Sequence, residues 1–584
     1  MTNTQMAGGS RNPACLFRRK ARLYNIRVKF RWKFKEDKIY WRDILETFGI
    51  HGAVARVLAT RLSSIEDIRI FLDKDFNDII PPEELPGVPE AGERLVHALR
   101  NDEPILIHGD YDTDGVTSLA LLYRNLKRLG ATRVIPYIPD RFSEGYGLSS
   151  GGVKKASEEG ISLIVTVDCG ITAIEEARLA RSLGVDLIVT DHHEPLKELP
   201  EAVALVNPRL GNYPFRELAG VGVAFKLLLY LYQLMRVDPK SLLWDLDLVA
   251  LGTVADVAPI VGENRILVEY GIKVLSNTLK AGLKALAHTA RMNGEIKPWH
   301  ISYVLAPRLN AAGRLTSAHK SFELLITTSG TEALSIAQFL ESENQRRQSI
   351  ERGILTEAKE ILSSHGDRMF MVADSEGWHE GVIGIVASRL SEQYNRPIAL
   401  IARNPNGSSR GSARSIPGFH IQEALEELSY LFEDFGGHPM AAGFTIPNES
   451  IEEFKARIEE IAARKMAEID LTPSVEIDTT VTFEEMSITF YRDYNRLNPF
   501  AFGNRAPVFL TRGARVRSVI KEGGVLNITA DQDGVEALIT FSNPHPSWTS
   551  FSPGDTIDIA FKVEADTPIR RGALLLRGVD MMPG

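Results

Sequence analysis

The stretch ILIHGDYDTDGVTSLALLYRNL, residues 105–126, places four ionisable side chains between an apolar run and a helix-like pattern. These are His108, Asp110, Asp112 and Asp114. An apolar run of strand length followed directly by an amphipathic helix is typical of a parallel α/β sheet. Like charges gathered this closely repel one another unless water or a cation offsets them. Two interpretations are therefore open at this point, a solvated turn and a cation site.

The same strand–loop–helix pattern recurs through residues 90–210, in segments such as LIVTVDCG and DLIVTDHHE. The repeat predicts an α/β fold with a doubly wound parallel sheet. In such sheets, ligands bind at the carboxyl ends of the strands. Asp168 ends one predicted strand, and His192 and His193 follow another. Acids and imidazoles from three strands should therefore meet at one edge, which favours the cation site.

The residue types indicate which cation would bind. Asp112 and Asp114 are two residues apart in what reads as an extended loop, so their side chains should point the same way. Carboxylates with some imidazole and no thiolate suit Mn²⁺ or Mg²⁺ better than zinc. Two ions that share a carboxylate could activate water and hold a phosphoryl group. Cys169, beside Asp168, is interpreted as a buried packing residue.

The bulk composition excludes several classes of protein. A chain of 584 residues predicts three or four domains. Two cysteines cannot form a disulfide framework, and they fit a cytoplasmic location. No apolar run approaches the roughly 20 residues that cross a bilayer, so no membrane partner is expected. The net charge of −9 leaves the question of a nucleic-acid partner to local patches.

The first 40 residues differ from the rest, with eleven Lys or Arg against two acidic residues. Basic and apolar residues alternate over residues 26–35, which predicts a strand. A basic strand with interleaved aromatic residues could contact a nucleic-acid backbone. A variable leader is the favoured interpretation of this segment.

Residues 211–325 are predicted to be mainly helical, with Asp256 near a helix end. A polar, helix-favouring run over residues 332–364 predicts one long connecting helix with a solvated charged face. A second α/β unit and a small β-barrel complete the chain. The predicted domains are a basic extension, a catalytic domain with an N-terminal helical segment, a connecting helix, a second α/β domain and a barrel. Their bounds are 1–40, 41–325, 326–365, 366–465 and 470–584.

The motifs DYDTDG, TVDCG, TDHHE and GTVADV occur in this order, followed by GWHEGVIGIVASRL, GSARSIPGFHIQEAL and GGHPMAAG. In this order they resemble the RecJ family of bacterial single-strand-specific exonucleases, which belongs to the DHH phosphoesterase superfamily and carries a DHHA1 domain. The resemblance covers residues 40–584. It implies a DHH sheet domain, a DHHA1 domain and a C-terminal OB-like barrel.

The resemblance also implies roles for individual residues. Asp168 would bridge two ions, Asp110 would lie adjacent, and His193 would stabilise the scissile phosphate or help to protonate the leaving oxygen. The implied metal ligands are His108, Asp112, Asp114, Asp168, His192 and Asp256.

Substrate contacts are expected at two further places. Ser412, Arg414 and Ser415 lie in a Gly-bracketed loop suited to a phosphate, and Arg141 follows a sheet strand closely enough to reach the same anion. The resemblance implies that these residues bind a 5′-terminal phosphate. Further candidates for strand contact are Arg308, Asn310, Arg314, Arg389 and His438, with Arg515 and Arg517 on one face of a barrel strand.

The activity implied is metal-dependent 5′-to-3′ digestion of single-stranded DNA to mononucleotides in DNA repair and recombination. Alternatives are a DHH oligoribonuclease or cyclic-dinucleotide phosphodiesterase, a DHH pyrophosphatase, and an inactive replication scaffold. The relatives behind the first alternative are shorter and lack the terminal barrel. The resemblance further implies a single-strand-binding protein and a RecQ-type helicase as partners of a monomeric enzyme.

Overall fold

The computed structural model describes residues 30–584, except residues 142, 365, 367, 406, 543, 564–568 and 571–572. Residues 1–29, which hold most of the basic leader, lie outside the described residues. The chain divides into two compact units. One contains Leu62–Arg347 and Tyr494–Ala506, and the other contains the chain before residue 62, Gln348–Asp493 and Pro507–Gly584. None of the described helices combines the length and apolar character of a membrane span.

The described chain begins with strand β1 (Arg31–Phe34) and helices α1 (Trp41–Phe48) and α2 (Gly52–Arg61). Strand β1 pairs in parallel with the strand Ser474–Ile477. The Trp32 indole Nε1 donates a hydrogen bond to Asp580 Oδ2 over 2.7 Å. This part of the predicted leader is therefore built into a sheet near the other end of the chain.

The unit that contains Leu62–Arg347 is built on a parallel five-stranded sheet. Its strands lie side by side in the order β3 (Val134–Tyr137), β2 (Ile105–His108), β4 (Leu163–Val167), β5 (Asp186–Thr190) and β6 (Ala204–Val206). Its central strands are buried along their whole length because helices cover both faces, which confirms the doubly wound sheet. The elements in chain order are α3 (Ile65–Asp73), α4 (Val88–Arg100), β2 (Ile105–His108), α5 (Thr113–Arg128), β3 (Val134–Tyr137), α6 (Ser150–Glu158), β4 (Leu163–Val167), α7 (Ile174–Ser182), β5 (Asp186–Thr190) and β6 (Ala204–Val206).

A helical layer follows the sheet, as expected for residues 211–325. Its apolar side chains join those of β2, β4 and α5 in one continuous core. The helices are α8 (Gly220–Met235), α9 (Lys240–Leu243), α10 (Leu246–Ala255), α11 (Gly262–Ser276), α12 (Ala281–Thr289), α13 (Pro298–His300), α14 (Ala306–Leu315) and α15 (His319–Ile326), with a π-helical turn at Ile301–Leu305.

The long connecting helix is present as α16 (Gly330–Ser363), 34 residues in length. The expectation that its charged face is solvated was wrong in part. Glu343, Arg347 and Glu351 are buried, and Glu351 Oε1 lies 2.6 Å from Arg389 Nη1. Charged residues of a long helix can be buried when neighbouring elements supply ionic partners. The local sequence pattern does not reveal such partners.

The other unit contains a five-stranded sheet in the order β10-β11-β9-β8-β7, in which only the β7–β8 pair is parallel. Apolar side chains of this sheet and of its helices form a separate core. The elements are β7 (Met371–Glu376), α17 (Glu380–Tyr394), β8 (Ile398–Arg403), β9 (Ser408–Arg414), α18 (Ile421–Glu426), β10 (Asp434–His438), β11 (Ala441–Pro447) and α19 (Ile451–Lys465).

The C-terminal strands close into a barrel, because β14 pairs with β15 on one side and with β17 on the other. The closed path runs β14-β15-β16-β19-β17, which confirms the predicted small β-barrel. The elements are β12 (Ser474–Ile477), β13 (Thr479–Thr480), α20 (Ile488–Asn495), β14 (Phe509–Glu522), β15 (Val525–Gln532), β16 (Val535–Ser542), β17 (Thr556–Val563), β18 (Ile569–Arg570) and β19 (Ala573–Pro583).

Candidate metal centre

Acidic and imidazole side chains gather at the carboxyl edge of the parallel sheet. Strand β2 is followed by the aspartates of the DYDTDG motif, β4 by Asp168, and β5 by His192 and His193. Asp256, the C-cap of helix α10, belongs to the same cluster. The structure therefore brings together groups from three strand ends and one helix end, as the sequence pattern predicts for such a sheet.

Among the described residues, three overlapping groups can each hold a cation, with ligand atoms within 4.8 Å of one another. Asp168 belongs to two of them, and His192 also belongs to two. His192 Nε2 lies 3.1 Å from Asp168 Oδ1 and 3.9 Å from Asp256 Oδ2. The three groups are Asp168–His192–His193, Asp114–His192–Asp256 and Asp110–Asp112–Asp168. Shared ligands of this kind suit two neighbouring ions.

Three polar atoms in this cluster are buried without a hydrogen-bond partner among the described residues: Asp110 Oδ1, Asp168 Oδ1 and His192 Nε2. A buried acceptor without a partner is costly to folding. All three atoms are lone-pair donors of the kind that bind Mn²⁺ or Mg²⁺. A divalent cation would satisfy them, so the residues present fit the expected metal.

Burial is the main cause of the pKa shifts in this cluster. Burial, followed by the neighbouring Asp112, raises the pKa of Asp114 to about 7. Burial, with Asp114 next in importance, raises the pKa of Asp256 to about 9 and also raises that of Asp168. Burial lowers the pKa of His192 to about 3, so its imidazole is neutral and able to donate a lone pair. Without a cation the site favours protonated acids, and a bound cation would displace those protons.

The expectation that Asp112 and Asp114 point the same way from an extended loop was wrong. Asp112 is the N-cap of α5 and accepts a hydrogen bond from Gly115 N over 3.1 Å. Asp114 already lies in the first turn, and its carboxylate accepts hydrogen bonds from the backbone N–H groups of Gly220 and Val221 at 2.8 and 3.0 Å. The two aspartates consequently belong to different candidate groups.

Two glycines allow other elements to approach the cluster. A Cβ added to Gly220, the first residue of α8, would lie 2.5 Å from Asp168 Oδ1. A Cβ on Gly252 of α10 would lie 2.6 Å from Asp114 Oδ1. Gly220 and Gly252 therefore let α8 and α10 pack directly against the aspartates of the cluster. The N-terminus of α8 also favours the negative charge of Asp114.

His193 is oriented by a carboxylate that sequence reasoning did not include among the site residues. Asp191 Oδ1 lies 2.7 Å from His193 Nδ1, and Asp191 Oδ2 accepts a hydrogen bond from Ile171 N over 2.9 Å. Burial is the largest single influence and opposes a charge on His193, but the hydrogen bond to Asp191 and the charges of Asp191, Asp112 and Asp114 together raise the pKa of His193. The position of Asp191 directly before the two histidines was the available signal.

Tyr146 is a second residue that was missed. Its hydroxyl donates a hydrogen bond to the Asp168 carbonyl over 3.1 Å and lies 3.1 Å from His193 Nδ1. Asp168 itself has a φ of 60°, a strained conformation for a residue with a side chain. Tyr146 lies in a loop without periodic pattern, so only the tertiary structure could reveal this contact.

His108, a predicted ligand, lies apart from the three groups. Its ring is fully buried, Nε2 accepts a long hydrogen bond of 3.4 Å from Ser149 N, and Nδ1 lies 4.0 Å from Cys169 Sγ. Burial lowers its pKa to about 4. Cys169 is fully buried, as its interpretation as a packing residue requires. The geometry therefore supports the other predicted ligands more directly than His108.

Four predicted substrate contacts lie in the same unit. The Arg141 guanidinium stacks over the Tyr111 ring at 4.8 Å. Arg308 pairs with Glu341 over 2.5 Å, and Asn310 Oδ1 accepts a hydrogen bond from Thr113 over 2.8 Å. Burial and then the nearby Arg141 lower the pKa of Arg314 to about 10. The charges of Arg141 and Arg314 thus interact, which makes both candidates for contact with an anion near the centre.

In the other unit, Ser412 and Arg414 lie on strand β9, whereas a loop had been expected. The motif GSARS pairs with β8 and β11 on either side, so backbone pairing overrides its glycine content. Arg414 Nη1 donates to Ser412 Oγ over 3.0 Å, which places a cation and a hydroxyl together. Ser415 is buried and donates to the Phe419 carbonyl, so its hydroxyl is already engaged.

The remaining candidates occupy surface positions. His438 ends β10 and is exposed, and the side chain of Arg389 is exposed although it pairs with the buried Glu351. Arg515 and Arg517 are exposed on β14 and alternate with buried neighbours, as the period of two requires. Arg517 also donates to Asp531 over 3.1 Å.

Comparison with known families gives three successive matches along the chain. The DHH family, N-terminal domain, matches residues 104–253. The DHHA1 domain matches residues 367–464, and the RecJ OB domain matches residues 477–572. The three candidate cation-binding groups described above are called the acid–histidine groups, although one of them consists of aspartates alone. The first match contains every residue of these groups except Asp256.

Relatives and solved structures agree with this order. The single-stranded-DNA-specific exonuclease RecJ of Bacillus subtilis is 40% identical over 504 residues, which is 85% of this chain and 63% of that protein. Its counterpart in Salmonella typhimurium is 38% identical over 440 residues, 71% of this chain and 76% of the relative. The crystal structure of Thermus thermophilus RecJ with Mn²⁺ has a TM-score of 0.82 at 32% identity, covering 96% of this chain and 80% of that one. The structure with Mg²⁺ has a TM-score of 0.76 at 30% identity, covering 96% and 79%.

The chain spans about two thirds of the length of the first of these relatives and three quarters of the second. The matched ranges cover three domains in succession, and the first range contains the acid and histidine residues of the sheet edge other than Asp256. From these matches, this chain belongs to the RecJ family of DHH-domain exonucleases.

Proposed function

We propose that this protein is a metal-dependent exonuclease that digests single-stranded DNA from the 5′ end to mononucleotides, in DNA repair and recombination. The observation that carries the proposal is the set of three linked acid–histidine groups with unsatisfied atoms at one sheet edge. The named activity of the relatives on single-stranded DNA supports the choice of substrate. Phosphodiester hydrolysis is the reaction for which such paired oxygen-rich sites are suited.

The metal would be Mn²⁺ or Mg²⁺, in two neighbouring positions. Asp168 would be shared between them, with Asp112 on one side and Asp114, His192 and Asp256 on the other. When bound, the ions would activate water and neutralise the charge that develops on the phosphate. The hydrogen bonds from Gly220 and Val221 would hold Asp114 in a fixed orientation during this process.

His193 is the side chain best placed to handle a proton. Asp191 holds its Nδ1, and Nε2, which lies 3.2 Å from the Tyr146 hydroxyl, is the nitrogen that would face the phosphate or the leaving 3′ oxygen. A His193 with a raised pKa can carry the proton that the leaving oxygen requires. Asp110 is buried in the adjacent group, where its raised pKa suits a secondary role in binding or proton exchange.

The strand would be held by residues in each unit. Arg141 and Arg314 would approach a phosphate near the centre, with Arg308 and Asn310 on the same helix as Arg314. Ser412 and Arg414 together offer a hydroxyl and a guanidinium for a terminal phosphate. His438 and Arg389 are further contacts in that unit. Arg515 and Arg517 present an exposed cationic row on the barrel, where single strands are commonly bound.

The cellular setting is proposed from the family resemblance. The enzyme would act as a monomer in the cytoplasm, with a single-strand-binding protein supplying coated strands and a RecQ-type helicase opening duplexes. The predicted domain bounds at residues 40, 325, 365 and 465 also remain proposals.

The test uses a long single-stranded DNA labelled at either end, incubated with Mn²⁺, Mg²⁺ or EDTA. We expect the 5′ label to appear early as a mononucleotide while the 3′-labelled strand shortens gradually, and EDTA should stop both. The Asp168→Ala variant should lose turnover, whereas Asp238→Ala, at an exposed position outside the cluster, should keep it. Early release of the 3′ label would contradict the polarity, and normal turnover by Asp168→Ala would contradict the metal centre.

A further inference from the structure

The loop of residues 138–149 connects β3 to α6 and reaches the metal centre with two side chains. Tyr146 contacts the Asp168 carbonyl and the His193 ring, and Arg141 stacks over Tyr111. Gly145 and Gly147 flank Tyr146 with φ angles of 84° and 91°. A Cβ on either glycine would touch nothing within 4 Å, so both positions face open space. Besides the contacts of Tyr146 itself, Gly145 N donates a hydrogen bond to the Asp140 carbonyl over 3.3 Å. The side chain of Glu144 adds a further constraint.

Glu144 connects the two ends of this loop. Its Oε1 accepts hydrogen bonds from the Tyr137 hydroxyl over 2.6 Å and from Ser149 Oγ over 2.9 Å. Its Oε2 accepts a hydrogen bond from Asp140 N over 2.8 Å. Tyr137 is the last residue of β3, and Ser149 is the N-cap of α6. One carboxylate therefore ties the strand before the loop to the helix after it.

We propose that Glu144 is a positioning residue, which ties the end of β3 to the start of α6 so that Tyr146 and Arg141 reach the catalytic centre. The inference rests on the proposed exonuclease function. Glu144 does not touch any of the three acid–histidine groups, so it acts through Tyr146 and Arg141. The carboxylate accepts all three bonds, and hydrogen bonds to a charged acceptor are roughly twice as strong as neutral ones. Glu144→Gln keeps the size of the side chain but removes the charge. Its NH₂ group can still donate to the Tyr137 and Ser149 hydroxyls, so the variant weakens the three bonds rather than abolishing them.

The first test measures the loop independently of activity. Amide hydrogen exchange is compared between the full-length wild type and Glu144→Gln, with Tyr137→Phe as a variant that removes one of the three bonds. We expect faster exchange within residues 138–149 in both variants and unchanged exchange in β4 and β5. Ser143→Ala is the matched control, because Ser143 bonds to Asp140 in the same loop without involving Glu144. Unchanged exchange of the loop in Glu144→Gln would overturn the proposal, whatever the enzyme does to DNA.

The second test is a double-mutant cycle on single-stranded DNA. Glu144→Gln and Tyr146→Phe should each lower kcat/KM, by roughly tenfold if about one hydrogen bond is lost from the transition state. If Glu144 acts through Tyr146, the double variant should lose little more than the stronger single variant. If the two reductions in kcat/KM multiply in the double variant, the two residues act independently. If kcat/KM falls only where the unfolding temperature also falls, the role of Glu144 is merely structural. A wild type that leaves single-stranded DNA intact would instead count against the proposed function.

Discussion

Individual side chains at the sheet edge are held in conformations that favour a cation over the empty site. Asp110, Asp168 and His192 each bury a lone-pair atom that no described group satisfies. Around them, backbone N–H groups and the Asp191 carboxylate hold Asp114 and His193 in place. Orientation of this kind reduces the reorganisation required when a metal and substrate bind.

Gly220→Ala should damage the centre without unfolding the protein. The new Cβ would lie 2.5 Å from Asp168 Oδ1, so the carboxylate must move. We expect Mn²⁺ binding, measured by calorimetry, to weaken by at least about tenfold, the usual scale for disturbed support of a metal ligand. Gly222→Ala is the control on the same helix, because its Cβ would come closest to the tip of the Leu218 side chain, at 3.2 Å, and would not meet the metal centre. Equal affinities in the two variants would contradict this account.

Asp191→Asn should lower kcat on single-stranded DNA by roughly 10- to 100-fold, since the side chain that orients His193 loses its charge. Asp186→Asn, at the exposed start of the same strand, serves as the control. A kcat within a factor of two of the wild type would argue against His193 as the proton carrier.

At the scale of elements, helices α10 and α12 are joined by a buried ionic cluster at the opposite end of α10 from Asp256. Lys280, the N-cap of α12, lies 2.9 Å from Asp245 Oδ1 and 2.8 Å from Asp247 Oδ1. Asp245 also lies 3.0 Å from Arg128 of α5. The cluster thereby connects α12 to α5 and α10, which have Asp114 and Asp256 at their other ends.

The two aspartates should respond to pH in opposite directions. Burial alone would raise the pKa of Asp245, but Lys280 and the nearby arginines lower it, so its ionised form stabilises the fold. That stability is present above the unfolded pKa of about 3.9 and is lost as the pH falls. Burial raises the pKa of Asp247 despite Lys280, so its ionisation costs stability as the pH rises above the unfolded value.

Asp245→Asn should therefore destabilise the protein by roughly 3 kcal/mol near pH 7, the scale for breaking a buried pair. The difference from wild type should shrink as the pH falls through 4. Asp247→Asn, the matched variant, should instead improve relative to wild type as the pH rises. Denaturant unfolding at several pH values measures the stability of each variant relative to wild type. If both variants showed the same pH dependence, the opposite pKa shifts of Asp245 and Asp247 would be contradicted.

On the scale of the whole molecule, distant parts of the chain complete each unit. Strand β1 pairs with β12, and Trp32 bonds to Asp580, which is 548 residues away. Phe30 and Trp32 pack with Val475 and Ile477. The segment classed as a basic leader consequently supports the fold near the barrel.

Trp32→Ala should lower the free energy of unfolding by about 2–4 kcal/mol, because a partly buried indole and its hydrogen bond are lost. Lys33→Ala, at the exposed neighbouring position, should change it by less than about 0.5 kcal/mol. Denaturant titration of the full chain checks both values. Equal stability of the two variants would mean that β1 adds nothing to this unit.

The local helices and strands follow from sequence patterns, and so does the sheet edge at which the acidic and imidazole side chains lie. Apolar runs followed by amphipathic helices indicate a parallel sheet, and such a sheet places Asp168 and His192 at its carboxyl edge. The long helix and the C-terminal barrel followed from equally local patterns. These features could be predicted because they depend on periodicity and on turn residues within short windows.

The contacts between groups far apart in the chain depend on how the elements pack. The bonds from Gly220 to Asp114, from Tyr146 to Asp168 and from Lys280 to Asp245 join residues separated by 22 to 106 positions. The burial of Glu351 and the separation of His108 from the three acid–histidine groups likewise depend on how helices and strands pack. Such contacts carry no periodic signal, because packing and long-range hydrogen bonding select them after the local elements have formed.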